Sequence, residues 1–302
     1  MPMDSIPPNT DAHVPGVLPL HTEHARTFES FRFVYPVLSR RSGGISVGVN
    51  LNPDKICNFD CIYCQVDRTR TSETSFVETA ALLDELDQML ALVRSGAIYD
   101  SEKFRHTPPA LRRLNDIAFS GDGEPTTYRN FDELMAACAA VKRRHGLDDV
   151  KMVLITNASM LHRPHVQRGL DVLDANQGEI WAKLEAGTDE YYQLIERTTI
   201  PFRQILDNIA TTAQVRPIVI QALFMRVNGE PPSRSELEAF CDRLSEITAS
   251  GGQLKLVQIY TVARQPAESY VTPLSADEVD SIAALVTQRT ALQAAAFYGP
   301  TS

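Results

Sequence analysis

The stretch that decides the fold is residues 45–64, which read ISVGVNLNPDKICNFDCIYC. Its first seven residues, 45–51, form an apolar run that predicts a β-strand. Three cysteines follow with C-x3-C-x2-C spacing, at Cys57, Cys61 and Cys64. The sequence therefore predicts a loop with three thiols directly after a first strand.

Three sulfurs this close in sequence can converge on one inorganic centre. A structural zinc site would need a fourth protein ligand, which only folding could supply, from His106, His162 or His165. A 4Fe-4S cluster held by three thiolates would instead leave one iron open to a ligand that is not protein. Zinc and three unligated, buried thiols are the alternatives. The two remaining cysteines, Cys138 and Cys241, are predicted to pack within helices.

Strand-like and helix-like segments alternate along the rest of the chain. Further strands are predicted at 116–120, 150–156, 180–186, 218–226 and 254–261. Helices are predicted at 131–145, 163–174, 201–213, 233–249 and 275–290, and a first helix carries an apolar stripe at Leu83, Leu86, Leu90 and Val93. This alternation predicts parallel strands joined by right-handed crossovers, in an incomplete barrel or a doubly wound sheet.

Composition and net charge indicate which classes of protein the sequence favours. The chain has 302 residues, is 43% hydrophobic and carries a formal net charge of −9, which disfavours binding to nucleic acid. It contains no apolar run long enough for a membrane span and no secretory leader, so we expect a cytoplasmic protein. Because prolines are frequent near the start, residues 1–40 are predicted to be a partly disordered N-terminal extension, and residues 41–295 the core domain.

A second motif follows the second predicted strand. Residues 119–126 read FSGDGEPT, in which Gly121 and Gly123 would let the backbone approach a ligand. Glu124 offers a carboxylate to an ammonium group, and Pro125 fixes the direction of the chain. The alternative is an ordinary glycine-rich turn between a strand and a helix.

Polar residues also occupy the ends of later strands. Thr156 and Asn157 suit hydrogen bonds to a carboxylate or ribose, or could cap the next helix. Alternation places Trp181, Lys183 and Glu185 on one face of the fourth strand, and in a barrel that face would point inward. Because unpaired buried charge is costly, Lys183 and Glu185 are expected to pair with each other or to bind a ligand. The same parity places three further residues inside, where they would line a cavity: Gln221, Gln258 and Tyr260.

The cysteine loop, with Tyr63 before its last cysteine, resembles the signature of the radical S-adenosylmethionine superfamily. Residues 39–67 resemble more narrowly the subfamily related to wyosine-type tRNA synthetases. The resemblance implies an α/β fold with an incomplete (β/α)6 barrel. It also implies that Cys57, Cys61 and Cys64 hold a 4Fe-4S cluster whose free iron is chelated by S-adenosylmethionine.

The same resemblance implies roles for the other motifs. The segment around Glu124 is similar to the glycine-glycine-glutamate motif that holds the methionine amino group, with Asp122 in place of one glycine. Lys183 and Glu185 would contact the ribose or carboxylate. The expected residues of the S-adenosylmethionine site are Tyr63, Gly121, Gly123, Glu124, Thr156, Asn157, Lys183 and Glu185.

The function implied is reductive cleavage of S-adenosylmethionine to a 5′-deoxyadenosyl radical, which abstracts hydrogen from a small molecule, peptide or tRNA base. A reductant such as flavodoxin or ferredoxin would supply the electron. No cysteine precedes Cys57, whereas the wyosine-type enzymes carry further N-terminal cysteines for a second cluster. Together with the acidic balance, this disfavours tRNA. The alternatives are an activase that installs a glycyl radical on a partner protein, and a metal-binding protein without catalysis.

Overall fold

The computed structural model describes residues 28–39, 43–68, 74 and 76–299. Most of the predicted disordered extension, residues 1–27 and 40, lies outside this range. The strands are β1 Val34–Ser39, β2 Gly44–Val49, β3 Leu114–Phe119, β4 Lys151–Thr156, β5 Gly178–Lys183, β6 Ile218–Leu223, β7 Met225–Val227, β8 Leu254–Tyr260, β9 Val271–Pro273 and β10 Ala294–Phe297. The helices are α1 Thr79–Ser95, α2 Phe131–Arg144, α3 Pro164–Asp174, α4 Asp189–Glu196, α5 Phe202–Val215, α6 Arg234–Ala249 and α7 Ala276–Thr290.

Eight strands form one open, curled sheet in the order β1-β2-β3-β4-β5-β6-β8-β10. The strands run parallel from β2 to β10, while β7 and β9 form a separate antiparallel pair. The six predicted strands correspond to β2 to β6 and β8, and the predicted helices match α1 to α3 and α5 to α7. The expected α/β fold with an incomplete barrel is therefore confirmed.

The predicted boundary at residue 40 divides the sheet. β1 lies within the predicted extension, yet it pairs antiparallel with β2 over six residue pairs, from Val34 opposite Val49 to Ser39 opposite Gly44. Its proline, Pro36, is tolerated because β1 is an edge strand. The predicted end of the core at residue 295 likewise falls inside β10, which pairs with β8. The described sheet thus extends beyond both predicted limits, and the division into two regions stays a prediction.

The helices cover the outer face of the sheet and enclose the main core. On α1 the buried apolar side chains are Leu82, Leu86, Met89, Leu90 and Val93, while the predicted stripe residue Leu83 is only partly buried. Among the described residues, no helix has the length and apolar character that crossing a membrane requires.

A buried carboxylate on α1 holds the start of β1. Glu85 is 8% exposed and accepts hydrogen bonds from the backbone N–H groups of Arg32, Phe33 and Val34, at 3.0, 2.7 and 3.1 Å. A backbone N–H that loses its partner in a buried site costs about 1–3 kcal/mol. Glu85 therefore fixes an edge strand that lacks a second strand neighbour.

Replacing Glu85 with alanine is expected to lower the free energy of unfolding by about 3 kcal/mol, because it leaves backbone donors at β1 without a partner. Glu85→Gln, which keeps one acceptor oxygen, should lose less. Urea denaturation followed by circular dichroism measures both. The control is Asp84→Ala at the exposed neighbouring position, and an equal loss in that variant would contradict the proposed role of Glu85.

The inner face of the sheet carries a second, smaller apolar cluster. It consists of Ala118, Val153, Trp181 and Val219, contributed by β3, β4, β5 and β6. Alternation along each strand separates these residues from the main core under the helices. The cluster forms the floor of the interior of the half-barrel.

Candidate functional site

One cavity of about 270 Å³ gathers most of the predicted site residues. Those that line it are Cys57, Cys61, Tyr63, Cys64, Gly121, Gly123, Glu124, Asn157 and Lys183. They come from the loops and strand ends that follow β2, β3, β4 and β5, which lie side by side in the sheet. Thr156 and Glu185 are buried but do not line the cavity. The structure therefore brings together motifs that lie more than 120 residues apart in sequence.

Backbone hydrogen bonds hold the cysteine loop against α4 and the segment after β8. The Ile62 N–H donates to the Ile195 carbonyl at 2.9 Å, and the Ala267 N–H donates to the Cys64 carbonyl at 2.8 Å. These bonds fix the loop without using a cysteine side chain. All three thiols are partly buried and remain available to a ligand.

Asn157 ties the end of β4 to the cysteine loop. Its side-chain amide donates to the Asn58 side-chain oxygen at 2.9 Å, and Asn58 in turn donates to the Ser159 hydroxyl at 2.8 Å. The alternative role as a cap of the next helix is wrong, because Arg163 is the N-cap residue of α3. Asn157 thus positions the loop as well as lining the cavity.

The cysteine side chains lie in a desolvated environment. Burial raises the pKa of Cys57, and burial followed by the negative charge of Glu196 raises the pKa of Cys61 further. The Cys61 thiol donates to Glu196 Oε2 at 2.7 Å. Metal coordination would remove these protons, because a thiol bound to a metal ion is deprotonated.

The donor set fits a cluster better than a single ion. In the part of the chain that the structure describes, no three His, Cys, Asp or Glu side chains converge tightly enough to hold one metal ion. Mononuclear zinc needs its ligands within about 2.0–2.3 Å of a single centre. An iron-sulfur cluster spreads its thiolate ligands over several irons. The three thiols that line this cavity are soft ligands of the kind that such clusters take.

Glu124 is the most completely hydrogen-bonded carboxylate of the predicted site. It is 3% exposed and accepts from the Thr126 N–H at 3.1 Å and hydroxyl at 2.5 Å, from the Thr156 hydroxyl at 2.6 Å and from the Asn157 N–H at 2.7 Å. Burial raises the pKa of Glu124, and these hydrogen bonds offset part of that shift. The contacts fix the orientation of the carboxylate, and Thr156 acts on the cavity only through it.

The two glycines of this motif allow close approach to the cysteine loop. A Cβ at Gly123 would collide with the Ile56 carbonyl and lie 2.8 Å from the Asn52 Cβ. A Cβ at Gly121 would lie 3.0 Å from the Asn50 Cα. Both glycines also line the cavity, and their predicted role of admitting a ligand stays a prediction. Any side chain at these positions would push the two loops apart.

A cluster of ionisable side chains is buried beside the cavity. The Tyr63 hydroxyl donates to Glu185 and lies 3.2 Å from Glu196 Oε1, and the Tyr260 hydroxyl lies 3.4 Å from Glu185. The Lys183 ammonium lies 5.3 Å from the centroid of the Tyr63 ring. Burial would lower the pKa of Lys183, but the carboxylate of Glu185 and other nearby groups raise it above the usual lysine value. Lys183 therefore stays charged at the cavity wall.

Two features of the site were not predicted. Glu196 is 4% exposed on α4, and burial together with the nearby Glu185 raises its pKa well above the usual value. Its helix is short and no motif surrounds it, so only the fold brings it to Cys61. The Ser46 hydroxyl donates to Asp116, and both buried residues line the cavity. The alternation of inward and outward side chains along β2 and β3 could have indicated this second pair.

Proteins of similar sequence match different shares of this chain. A UPF0026 protein of Helicobacter pylori is 26% identical over 246 residues, which cover 81% of this chain and 70% of that protein. The GTPase Obg of Brachyspira hyodysenteriae is 27% identical over 165 residues. That match covers 54% of this chain but only 20% of the GTPase.

Two solved structures align with most of this chain at low sequence identity. Streptococcus suis SuiB bound to S-adenosylmethionine superimposes with a TM-score of 0.53 at 12% identity, over 85% of this chain and 49% of SuiB. TYW1 with a lysine-pyruvate adduct bound gives a TM-score of 0.47 at 16% identity, over 82% of this chain and 74% of TYW1.

The family is decided by a match over more than half of the chain. The profile of the Radical SAM superfamily matches residues 51–244, from the end of β2 into α6. The match includes the cysteine loop and the motif around Glu124. The chain belongs to the radical SAM superfamily and is an enzyme whose cofactors are a 4Fe-4S cluster and S-adenosylmethionine.

Proposed function

We propose that Cys57, Cys61 and Cys64 ligate the cluster and that a substrate in the adjoining cavity loses a hydrogen atom. The observation that carries this proposal is the shared cavity, which the three thiols and Glu124 line together. When bound, the cluster and S-adenosylmethionine supply a 5′-deoxyadenosyl radical that abstracts the hydrogen.

The residues of this chain position S-adenosylmethionine. Glu124 receives the methionine ammonium group, since its carboxylate is already oriented by Thr126, Thr156 and Asn157. Lys183, charged and at the cavity wall, attracts the carboxylate. Tyr63 lines the same cavity, with its ring 5.3 Å from the Lys183 ammonium, and packs near the adenine.

The rest of the cavity holds the substrate. Of the apolar cluster on the inner face of the sheet, Ala118 and Trp181 line this cavity beside polar residues of the strand ends. A substrate that fills the space displaces water, and exclusion of water protects a reactive intermediate from side reactions. The net charge of −9 favours a small molecule or peptide over tRNA. An electron donor such as flavodoxin or ferredoxin supplies the electron.

The test is anaerobic reconstitution with iron and sulfide, followed by dithionite and S-adenosylmethionine. We expect about four irons per chain and the release of 5′-deoxyadenosine, measured by liquid chromatography. One bound zinc with no deoxyadenosine would overturn the proposal and favour a metal-binding protein without catalysis. Heat-inactivated enzyme under the same reductant is the control.

A further inference from the structure

One wall of the cavity also contacts the cysteine loop. Residues 261–270 connect β8 to β9 and are called the rim segment here. The rim segment contributes Ala263 and Arg264 to the lining of the cavity. Its Ala267 N–H donates to the Cys64 carbonyl at 2.8 Å. The rim segment is therefore both a wall of the cavity and a direct neighbour of the three thiols.

The side chain of Arg197 bridges the cysteine loop and the rim segment. Its Nε donates to the Asp60 carbonyl at 2.7 Å, and its Nη2 lies 3.2 Å from Asp60 Oδ2, between the first two cysteines of the loop. Its Nη1 donates to Glu268 Oε1 at 2.5 Å, within the rim segment. Because a guanidinium is planar and presents its donors in a rigid fork, these contacts fix the two segments relative to each other.

The backbone of Arg197 adopts a conformation that favours glycine. Arg197 is the C-cap residue of α4, with φ 44° and ψ 54°, in the left-handed region. The carbonyl of the preceding residue, Glu196, accepts from the Asp60 N–H at 3.2 Å, so the same turn also meets the cysteine loop. Glycine would suit this backbone without strain but would remove every side-chain contact. An arginine at such a position indicates a use for its side chain.

We propose that Arg197 is a positioning residue that couples the cysteine loop to the rim segment, so that a loop ordered by its cluster holds this wall of the cavity in place. The inference rests on the proposed function, in which the loop binds the cluster. Coupling between two sites is reciprocal, so an ordered rim segment also slows loss of the cluster. Because the bridging side chains are partly exposed, the effect is expected in local opening rather than in global stability.

Hydrogen–deuterium exchange of the apoprotein, read by mass spectrometry, tests the link without the cluster. In Arg197→Gly, peptides that cover the rim segment are expected to exchange at least about fivefold faster than in the wild type, because the bridging contacts are lost. The melting temperature should stay within about 2 °C, since glycine adopts the left-handed conformation readily. Unchanged exchange of the rim segment, or faster exchange spread over the whole chain, would overturn the inference.

Two controls separate the bridge from general effects of the substitution. Gln177→Gly places glycine at another residue with positive φ, 59°, between α3 and β5. Arg203→Ala removes an exposed arginine that pairs with Asp207 on α5 at 2.9 Å. Both should leave the exchange of the rim segment unchanged. Glu268→Gln should speed this exchange less than Arg197→Gly does and should add nothing in the double variant, whereas additive effects would contradict a shared bridge.

Loss of iron from the reconstituted enzyme is the second readout. The ferrous chelator bathophenanthroline disulfonate is expected to remove iron at least about threefold faster from Arg197→Gly than from the wild type or the two controls. Equal rates would refute the coupling to the cluster, even if the rim segment exchanges faster. If the wild type binds no cluster, the proposed function fails, while exchange in the apoprotein still decides whether Arg197 links the two segments.

Discussion

Replacing any one of Cys57, Cys61 and Cys64 with serine is expected to prevent stable cluster assembly and to reduce deoxyadenosine formation to the rate without enzyme. Soft thiolates bind iron-sulfur clusters, and a hydroxyl is a poor substitute. The measurements are iron and sulfide content, visible absorbance and deoxyadenosine release after anaerobic reconstitution. All three variants should retain the fold, because the backbone bonds of Ile62 and Cys64 do not use the thiols.

The remaining cysteines provide the control. Cys138 on α2 and Cys241 on α6 are buried away from the cavity, and burial raises the pKa of Cys138 to about 12. Their alanine variants should keep the cluster and the activity. A full cluster in one of the three serine variants would remove that residue from the ligand set.

The second large effect is expected at Glu124. In Glu124→Gln one carboxylate oxygen becomes an amide NH₂ group. This group must lie beside groups that donate to Glu124 in the wild type, either the backbone N–H of Asn157 or the hydroxyls of Thr126 and Thr156. The variant also loses the charge that would attract an ammonium group. We expect the affinity for S-adenosylmethionine to fall about a hundredfold, as measured by equilibrium dialysis under anaerobic conditions.

The comparison for Glu124 is Glu133→Gln, the same change at an exposed position in the first turn of α2. It should leave the affinity for S-adenosylmethionine unchanged. If Glu124→Gln lowers the melting temperature but not the affinity, Glu124 only stabilises the turn. The motif is then an ordinary glycine-rich turn between a strand and a helix, which is the alternative interpretation.

The regular part of the fold is readable from sequence because each element follows a simple period. The six predicted strands are runs of apolar residues, and the helices carry apolar stripes at three- and four-residue spacing. β1, α4 and β10 were missed for different reasons. β1 contains Pro36, α4 has only eight residues, and β10 reads AAAF, which has little β-branched character.

The residues of the site likewise include some that a sequence pattern predicts and some that only the fold reveals. Spacing within one loop identifies Cys57, Cys61 and Cys64, and alternation on one strand identifies Lys183. Glu196 could not be found like this, because its contact with Cys61 joins residues 135 positions apart through a helix that the pattern did not predict. The direction of Glu185, towards Tyr63 and away from the cavity, also depends on how β5 ends.

The open sheet changes what the cavity volume means for substrate size. β1 and β10 are the two edges of the described sheet and do not pair with each other. In a closed barrel a substrate must fit entirely inside, whereas in a half-barrel only its reacting end has to enter. The cavity of about 270 Å³ also receives the cluster and S-adenosylmethionine in the proposed function, so only the reacting end of the substrate enters beside them, and a peptide or other long molecule could extend past an edge.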